Sequence, residues 1–273
     1  MDLGAIINLE NKYFNYYDRI TEAKDLANKD FCLHSHEYYE IYLFLEGDAN
    51  YIIEDKSYSL EPYDLFVIKK NEFHQVFHNT NSSYRRSLLW IDPRFFQLHD
   101  CTLYEEKFLD LSPLSGSKIP ANIVLSSGIY DVFEKFKKYT MDYADMTVPV
   151  IESLIIELLH LIHYSAPLIA PTHNNNSIQP IISYLNQNFT DNITLDFLQE
   201  RFFISKYHLC RKFHECTGLT VHEYIRKKRL AKARELKSQG MNLGDIATEV
   251  GFTDYSSFYR AYQKEFGSTP KKI

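Results

Sequence analysis

Paired cysteines, a basic N-terminus, membrane-length apolar runs and an overall positive charge are all missing from this chain of 273 residues. Its four cysteines, Cys32, Cys101, Cys210 and Cys216, make no C-x-x-C pair. They read as reduced thiols and not as a disulfide frame, which places the protein in the cytoplasm. The opening stretch MDLGAIINLENKYFNYYDR has neither a basic start nor an apolar core, so no signal peptide is expected. No uninterrupted apolar stretch reaches spanning length, so no membrane partner is expected. Tryptophan occurs once, at Trp90, read as core or as a flat surface for a sugar ring. With 45% hydrophobic and 24% charged residues, the composition is that of a globular protein long enough for two domains.

The net charge of −6 hides an asymmetry. Residues 177–273 hold 15 Lys and Arg against 10 Asp and Glu, whereas residues 1–176 hold 15 against 26. A basic end on an acidic body suits DNA binding by one domain, because phosphate neutralisation drives affinity.

That basic end carries a duplication. Leu243 to Pro270, LGDIATEVGFTDYSSFYRAYQKEFGSTP, reads as two short helices joined by a tight turn. Ile246, Ala247 and Val250 give the first helix its apolar face, and Gly251 follows it where positive φ costs glycine little. Asp254 is placed to cap the second helix, which carries Phe258, Tyr262 and Phe266 at spacings of four. The unit recurs upstream. Leu209, Arg211, Phe213, Gly218 and Thr220 match Phe258, Arg260, Tyr262, Gly267 and Thr269 at an offset of 49, and Leu195, Leu198 and Phe202 match Leu243, Ile246 and Val250 at 48. Such a unit is a helix-turn-helix, whose second helix can enter the major groove. Between the copies, Thr220-Val221-His222-Glu223 is a capping box opening a long helix that Gly240 can end.

The spacing GF-x(5)-F-x-R-x-[FY]-x(3)-FG-x-TP, met by Gly251 through Pro270, resembles the AraC/XylS family of transcription regulators. The resemblance covers roughly residues 177–273 and implies two helix-turn-helix units, about 194–218 and 243–267, joined by a long helix. One departure is Gln199, which stands where the family usually has alanine at the crossing of the first two helices. On the exposed faces of the second helices lie Lys206, Tyr207, Cys210 and Arg211, and Tyr255, Ser256, Tyr259 and Arg260. The resemblance places DNA contacts on these faces, and Arg211 and Arg260 occupy matching places. The run Arg226-Lys227-Lys228-Arg229 on the bridging helix reads as a solvated face or as phosphate contacts.

The N-terminal part is organised differently. Residues 1–28 read as an arm or a first strand. From Phe31 to Ile91, short alternating runs look like strands at His36–Leu45, Ala49–Ile53, Ser57–Leu60, Leu65–Ile68, Phe73–Phe77 and Arg86–Ile91, an arrangement for a sandwich or small barrel. From about Pro93 the pattern is helical, with apolar stripes in Ser127–Met141 and Val148–Tyr164. The second stripe is core and a candidate share of a dimer interface. The expected division is 1–92 sensor barrel with N-terminal arm, 93–165 helical dimerisation segment, 166–176 linker rich in Asn and Pro, and 177–273 DNA-binding domain.

His34-Ser35-His36-x(3)-Glu40-x(6)-Gly47 puts residues 34, 36 and 40 on one face of an unbroken strand, and His74 arrives one hairpin later. This resembles the cupin barrel, although its second motif has Asp64 in place of the usual turn glycine. Tyr38 and Tyr42 share the histidine face. The favoured reading is an effector pocket lined by His34, His36, Tyr38, Glu40, Tyr42 and His74, with no cofactor required. A divalent metal on His34, His36, Glu40 and His74 is the alternative, and histidines that satisfy only local hydrogen bonds are a third reading.

The sequence thus predicts an α+β chain of two domains: a cupin-like β-barrel with a helical dimerisation segment, then an all-α double helix-turn-helix. The expected function is a homodimeric regulator, an activator and not an enzyme. Its expected partners are promoter DNA, RNA polymerase and a small-molecule effector, a carbohydrate or related metabolite. The rival readings are a metal-dependent cupin enzyme fused to a DNA-binding domain and a ligand-independent regulator.

Overall fold

The computed structural model describes residues 5–22, 33–54, 56–80, 82–110, 118–142, 147–165 and 178–270. The expected linker at 166–176, Cys32, and the turn residues Asp55 and Asn81 lie outside them. The chain divides into two compact units, residues 1–32 with 36–174, and residues 33–35 with 175–273.

In the N-terminal unit the first strands are β1 (Ala5–Glu10), β2 (Phe14–Thr21), β3 (Tyr39–Glu46), β4 (Ala49–Ile53) and β5 (Lys56–Ser59). They are followed by β6 (Leu65–Ile68), β7 (His74–His78) and β8 (Tyr84–Ile91). Then come helices α1 (Pro93–Leu98) and α2 (Thr102–Asp110), the short strand β9 (Lys118–Ile119), and helices α3 (Ala121–Ser126), α4 (Ile129–Asp142) and α5 (Thr147–Ser165). The strands form a six-stranded sheet in the order β1-β2-β8-β3-β6-β9 and a three-stranded sheet in the order β5-β4-β7. The two sheets remain separate and do not close into a barrel; of the two architectures open to the sequence, the sandwich describes them.

Alternation along β3 assigns its two faces. Tyr42 and Phe44 join Tyr51, Phe66 and Tyr84 in a core between the sheets. Tyr39, Ile41 and Leu43 join the helices in a second core with Val132, Phe136 and the stripe of α5. The expected helical segment therefore shares its core with the large sheet. Helix α5 is long and apolar enough to cross a membrane. Its stripe, Ile151, Leu154, Ile155, Leu158, Leu159 and Ile162, is nonetheless buried in this core. That burial is the role of a core helix.

Two expectations shift. The polar N-terminal residues form two strands, β1 and β2, paired antiparallel, and β2 continues onto β8. The strand expected from His36 begins only at Tyr39, so the face shared by residues 34, 36 and 40 is broken before it reaches the histidines.

In the C-terminal unit, α6 (Gln179–Asn188) precedes α7 (Leu195–Phe202), α8 (Lys206–Thr217), α9 (Val221–Ser238), α10 (Leu243–Glu249) and α11 (Tyr255–Phe266). The caps expected at Asp254 and Thr220 form, and Thr194 and Ser205 add two more. Thr194, Ser205 and Asp254 each accept a bond from the backbone N–H three residues on, and Thr220 with Glu223 forms a capping box. Leu230, Ala233 and Leu236 of α9 pack with Ile246, Val250, Phe258 and Tyr262. On the side of the first unit, Phe213 meets Tyr224 of α9 edge to face at 5.4 Å.

Gly251 makes the closest approach in this unit. Its φ is +88°, and a Cβ there would lie 2.2 Å from the carbonyl oxygen of Thr190. Gly267 also has positive φ, +66°, but a Cβ there meets nothing within 4 Å. Gly267→Ala should therefore lose only the left-handed backbone preference, about 1–2 kcal/mol. Gly251→Ala adds a collision with backbone and should lose about 3 kcal/mol or more. Urea unfolding of both variants, followed by far-UV circular dichroism, checks this order; equal losses contradict it.

Candidate functional site

The C-terminal unit presents two equivalent helices, α8 and α11. Each begins at a capped turn and buries one face, Leu209 and Phe213 in α8, Phe258 and Tyr262 in α11. Of the eight residues expected to read DNA, Tyr207, Cys210, Arg211, Tyr255, Ser256 and Arg260 are exposed, and Lys206 and Tyr259 are half-buried. Tyr207 is 79% exposed. Their surroundings differ. Lys206 pairs with Asp196, and Arg211 pairs with Glu215 one turn on, at 3.1 Å. Arg260 has no ion pair among the described residues, so its guanidinium is the more available for bidentate contact with a guanine edge.

The basic run on α9 is mostly engaged within the unit. Arg229 donates from Nε to the carbonyl of Phe189 at 2.7 Å and from Nη2 to that of Asp191 at 2.8 Å. These carbonyls follow α6, so the cation sits where a helix end favours positive charge. Burial pulls the Arg229 guanidinium below its ordinary value. Lys227 pairs with Glu265 of α11, and Lys228 lies over the Tyr224 ring. Arg226 alone of the four is exposed. Gln199, the departure from alanine, is exposed and accepts from the Lys206 N–H at 3.2 Å, holding the first turn of α8.

The N-terminal unit gathers a polar cluster between its sheets. Glu40 on β3 is its centre, 4% exposed. Its carboxylate accepts from Trp90 Nε1 at 2.7 Å and from Tyr51 Oη at 3.3 Å, and it lies 3.1 Å from His36 Nε2 and 4.0 Å from His74 Nε2. In both histidines Nδ1 donates to a backbone carbonyl, of Tyr38 in one and of Glu72 in the other, each at 2.9 Å. Both rings therefore turn Nε2 toward Glu40. His36 Nε2 and a Glu40 carboxylate oxygen thus lie within hydrogen-bond distance. His36, Glu40 and His74 supply the nitrogen and oxygen donors that suit a divalent ion.

Tyr38 stacks on His36 at 3.9 Å and meets Trp90 at 4.8 Å. Tyr42 is 2% exposed, and its hydroxyl bonds that of Tyr84. Burial raises the phenols of Tyr42 and Tyr51 well above their ordinary value and lifts that of Tyr84 to about 12. His34 is exposed on the segment 33–35, which groups with the C-terminal unit, whereas His36, Tyr38, Glu40, Tyr42 and His74 belong to the N-terminal unit. Sequence reasoning missed Trp90 as a partner of Glu40. The signal lies in the β3–β8 register, which sets Glu40 opposite Trp90.

Removing the Glu40 carboxylate leaves buried donors behind. Glu40→Ala should cost about 1.5–3 kcal/mol, the range for a bond to a charged group. It should also shift the emission of Trp90, the single tryptophan. Urea unfolding followed by that emission reads both effects; an unchanged midpoint and spectrum contradict the cluster.

Comparisons with known proteins match both parts of the chain. A family model described as an AraC-like ligand binding domain matches residues 17–112, and one described as a helix-turn-helix domain matches residues 198–273. The HTH-type transcriptional activator RhaS of Salmonella schwarzengrund is 23% identical over 248 residues, covering 88% of this chain and 86% of its own. Among solved structures, ToxT of Vibrio cholerae aligns over 96% of this chain and 97% of its own, at 14% identity and a TM-score of 0.38. A protein of Listeria innocua aligns over 35% of this chain and 91% of its own, at 32% identity and a TM-score of 0.33. With a ligand-binding sandwich followed by a duplicated helix-turn-helix, this chain belongs to the AraC/XylS family of transcription regulators.

Proposed function

We propose that the protein is a one-component activator that binds promoter DNA as a homodimer in the cytoplasm, engages RNA polymerase and responds to a carbohydrate or related metabolite. It acts by binding and not by catalysis. The observation that carries the DNA reading is the matched pair of exposed helices, α8 and α11, each with an arginine at the same repeat position. The relative named as an activator supports activation. The apolar side chains Met141, Val150 and Tyr164, exposed on α4 and α5, support a second copy of the chain as partner.

The proposed DNA contacts are Lys206, Tyr207, Cys210 and Arg211 in one groove and Tyr255, Ser256, Tyr259 and Arg260 in the next. The proposed effector contacts remain His34, His36, Tyr38, Glu40, Tyr42 and His74. A second reading of that cluster has a divalent cation as occupant, favoured by the two Nε2 atoms turned toward one carboxylate oxygen. Metal analysis of the purified protein decides it: stoichiometric metal that His74→Ala removes supports the cation, and metal-free protein excludes it.

The DNA reading is tested on an operator library at fixed salt. Arg260→Ala should relax preference at one base position by about 1–3 kcal/mol, and Arg211→Ala should act about one helical turn away. Because Arg211 is already paired with Glu215, its effect should be the smaller. Loss of preference at the same base pair in both variants contradicts two-groove reading. Uniform loss of affinity with a shallower salt dependence would make both arginines phosphate contacts.

A further inference from the structure

The C-terminal unit passes through the left-handed backbone region at five described positions. Four are glycines, Gly218, Gly240, Gly251 and Gly267, with φ of 68°, 88°, 88° and 66°. The fifth is Phe203, which ends α7 with φ of 52° and ψ of 39°. A bulky residue adopts that conformation at a cost, and such strain gathers at functional sites. Phe203 is also 96% exposed, more than any other large apolar residue described. Packing within the unit therefore does not repay the strain.

The duplication shows what the same position does in the other head. The offset of 48 that matches Phe202 with Val250 matches Phe203 with Gly251. At Gly251 the Thr190 backbone excludes any side chain, its carbonyl oxygen 2.2 Å from where a Cβ would lie. In the first head no described segment covers the position, and a phenyl ring stands in it. The ring lies two residues before Ser205, which caps α8 by accepting from the His208 N–H at 3.3 Å. Gln199 fixes the same turn through the Lys206 N–H. Tyr207, the second residue of α8, is exposed at the same entrance. In a helix-turn-helix the N-terminal residues of the second helix meet the base edges. A ring at this entrance is thus at the groove whenever α8 is in it.

We propose that Phe203 is a specificity-determining residue that packs against the 5-methyl group of a thymine at the edge of the α8 subsite. A phenyl ring neither donates nor accepts, and the thymine methyl is the apolar group that the major groove displays. The surroundings favour DNA over a protein partner. Glu200, Arg201 and Ser205 beside the ring are exposed and polar, so it does not belong to a broad apolar patch of the kind a protein partner covers. Gly251 has no side chain to do the same in the second head, which confines the thymine preference to one groove. The proposal rests on the reading that α8 enters the major groove.

The test uses the full-length protein and the operator selected from a random duplex library. Each thymine of that operator is replaced in turn by uracil, which pairs alike and lacks the methyl group. At one position beside the α8 subsite the parent should lose about fourfold in affinity, the worth of one methyl group taken out of water. Phe203→Gly should bind the thymine operator more weakly than the parent by the same factor and be indifferent to uracil at that position. Phe203→Tyr keeps the ring and should keep the dependence. Glycine takes the left-handed conformation freely, so Phe203→Gly should not lower the urea midpoint. A lowered midpoint would mean that the ring packs within the fold, and would overturn the proposal. Equal uracil sensitivity of parent and Phe203→Gly at every position overturns it as well. Weaker binding without thymine dependence would place the ring on deoxyribose and overturn the methyl contact. Unchanged binding with lost activation in a transcription assay with RNA polymerase overturns the DNA contact in favour of a protein one. A parent without sequence preference would remove the reading of α8 itself, whereas a preference that Phe203→Gly shares in full removes only this inference.

Discussion

The placement of the second helix-turn-helix depends on the close approach between Gly251 and Thr190. The turn of the second helix-turn-helix comes so near the loop after α6 that a Cβ at Gly251 would sit 2.2 Å from a backbone oxygen. Arg229 fastens the same region from α9, donating to the carbonyls of Phe189 and Asp191 while its guanidinium lies 5.9 Å from the Phe252 ring centre. One long helix, one arginine and one glycine thus tie the second head to the segment that opens the first. On the proposed two-groove reading, a rigid tie of this kind lets the second head bind at no further cost in translational freedom.

The N-terminal unit shows how one sheet serves two cores. Alternation on β3 sends Tyr42 and Phe44 to the inter-sheet side and Ile41 and Leu43 to the helical side. Each face is apolar over most of its area and polar at one place: around Glu40 on one side, and around Asp18, Arg85 and Ser87 on the other. Buried polar groups require partners. Glu40 has Trp90, Tyr51 and His36, and Asp18 has Arg85. These are the places where the unit departs from plain packing.

The helix-turn-helix units were legible because every signal was local. Caps at Thr220 and Asp254, glycines after the helices and an apolar period of four all fall within short windows, and the duplication checked one copy against the other. Strands β4 and β6 were equally plain, one alternating and one a short apolar run, both bounded by turns. The pair β1 and β2 was harder. Its residues are polar and tyrosine-rich, and the strands are defined by pairing with each other and with β8. The basic run on α9 read as a solvated face or as phosphate contacts because composition does not reveal that Arg229 meets carbonyls some forty positions earlier. Trp90 beside Glu40, and Asp18 beside Arg85, became visible only with the strand register, since each pair is brought together by neighbouring strands far apart in sequence.

Coupling of the two heads is most directly tested by moving their subsites apart. Once the preferred operator is known, about five base pairs, half a helical turn, are inserted between the subsites of α8 and α11, which places them on opposite sides of the duplex. The rigid tie predicts that affinity falls to that of a single subsite. Insertion of a full turn should also fail, because the tie fixes distance as well as face. Undiminished affinity for either spaced operator would mean that the heads swing independently, and would contradict the account.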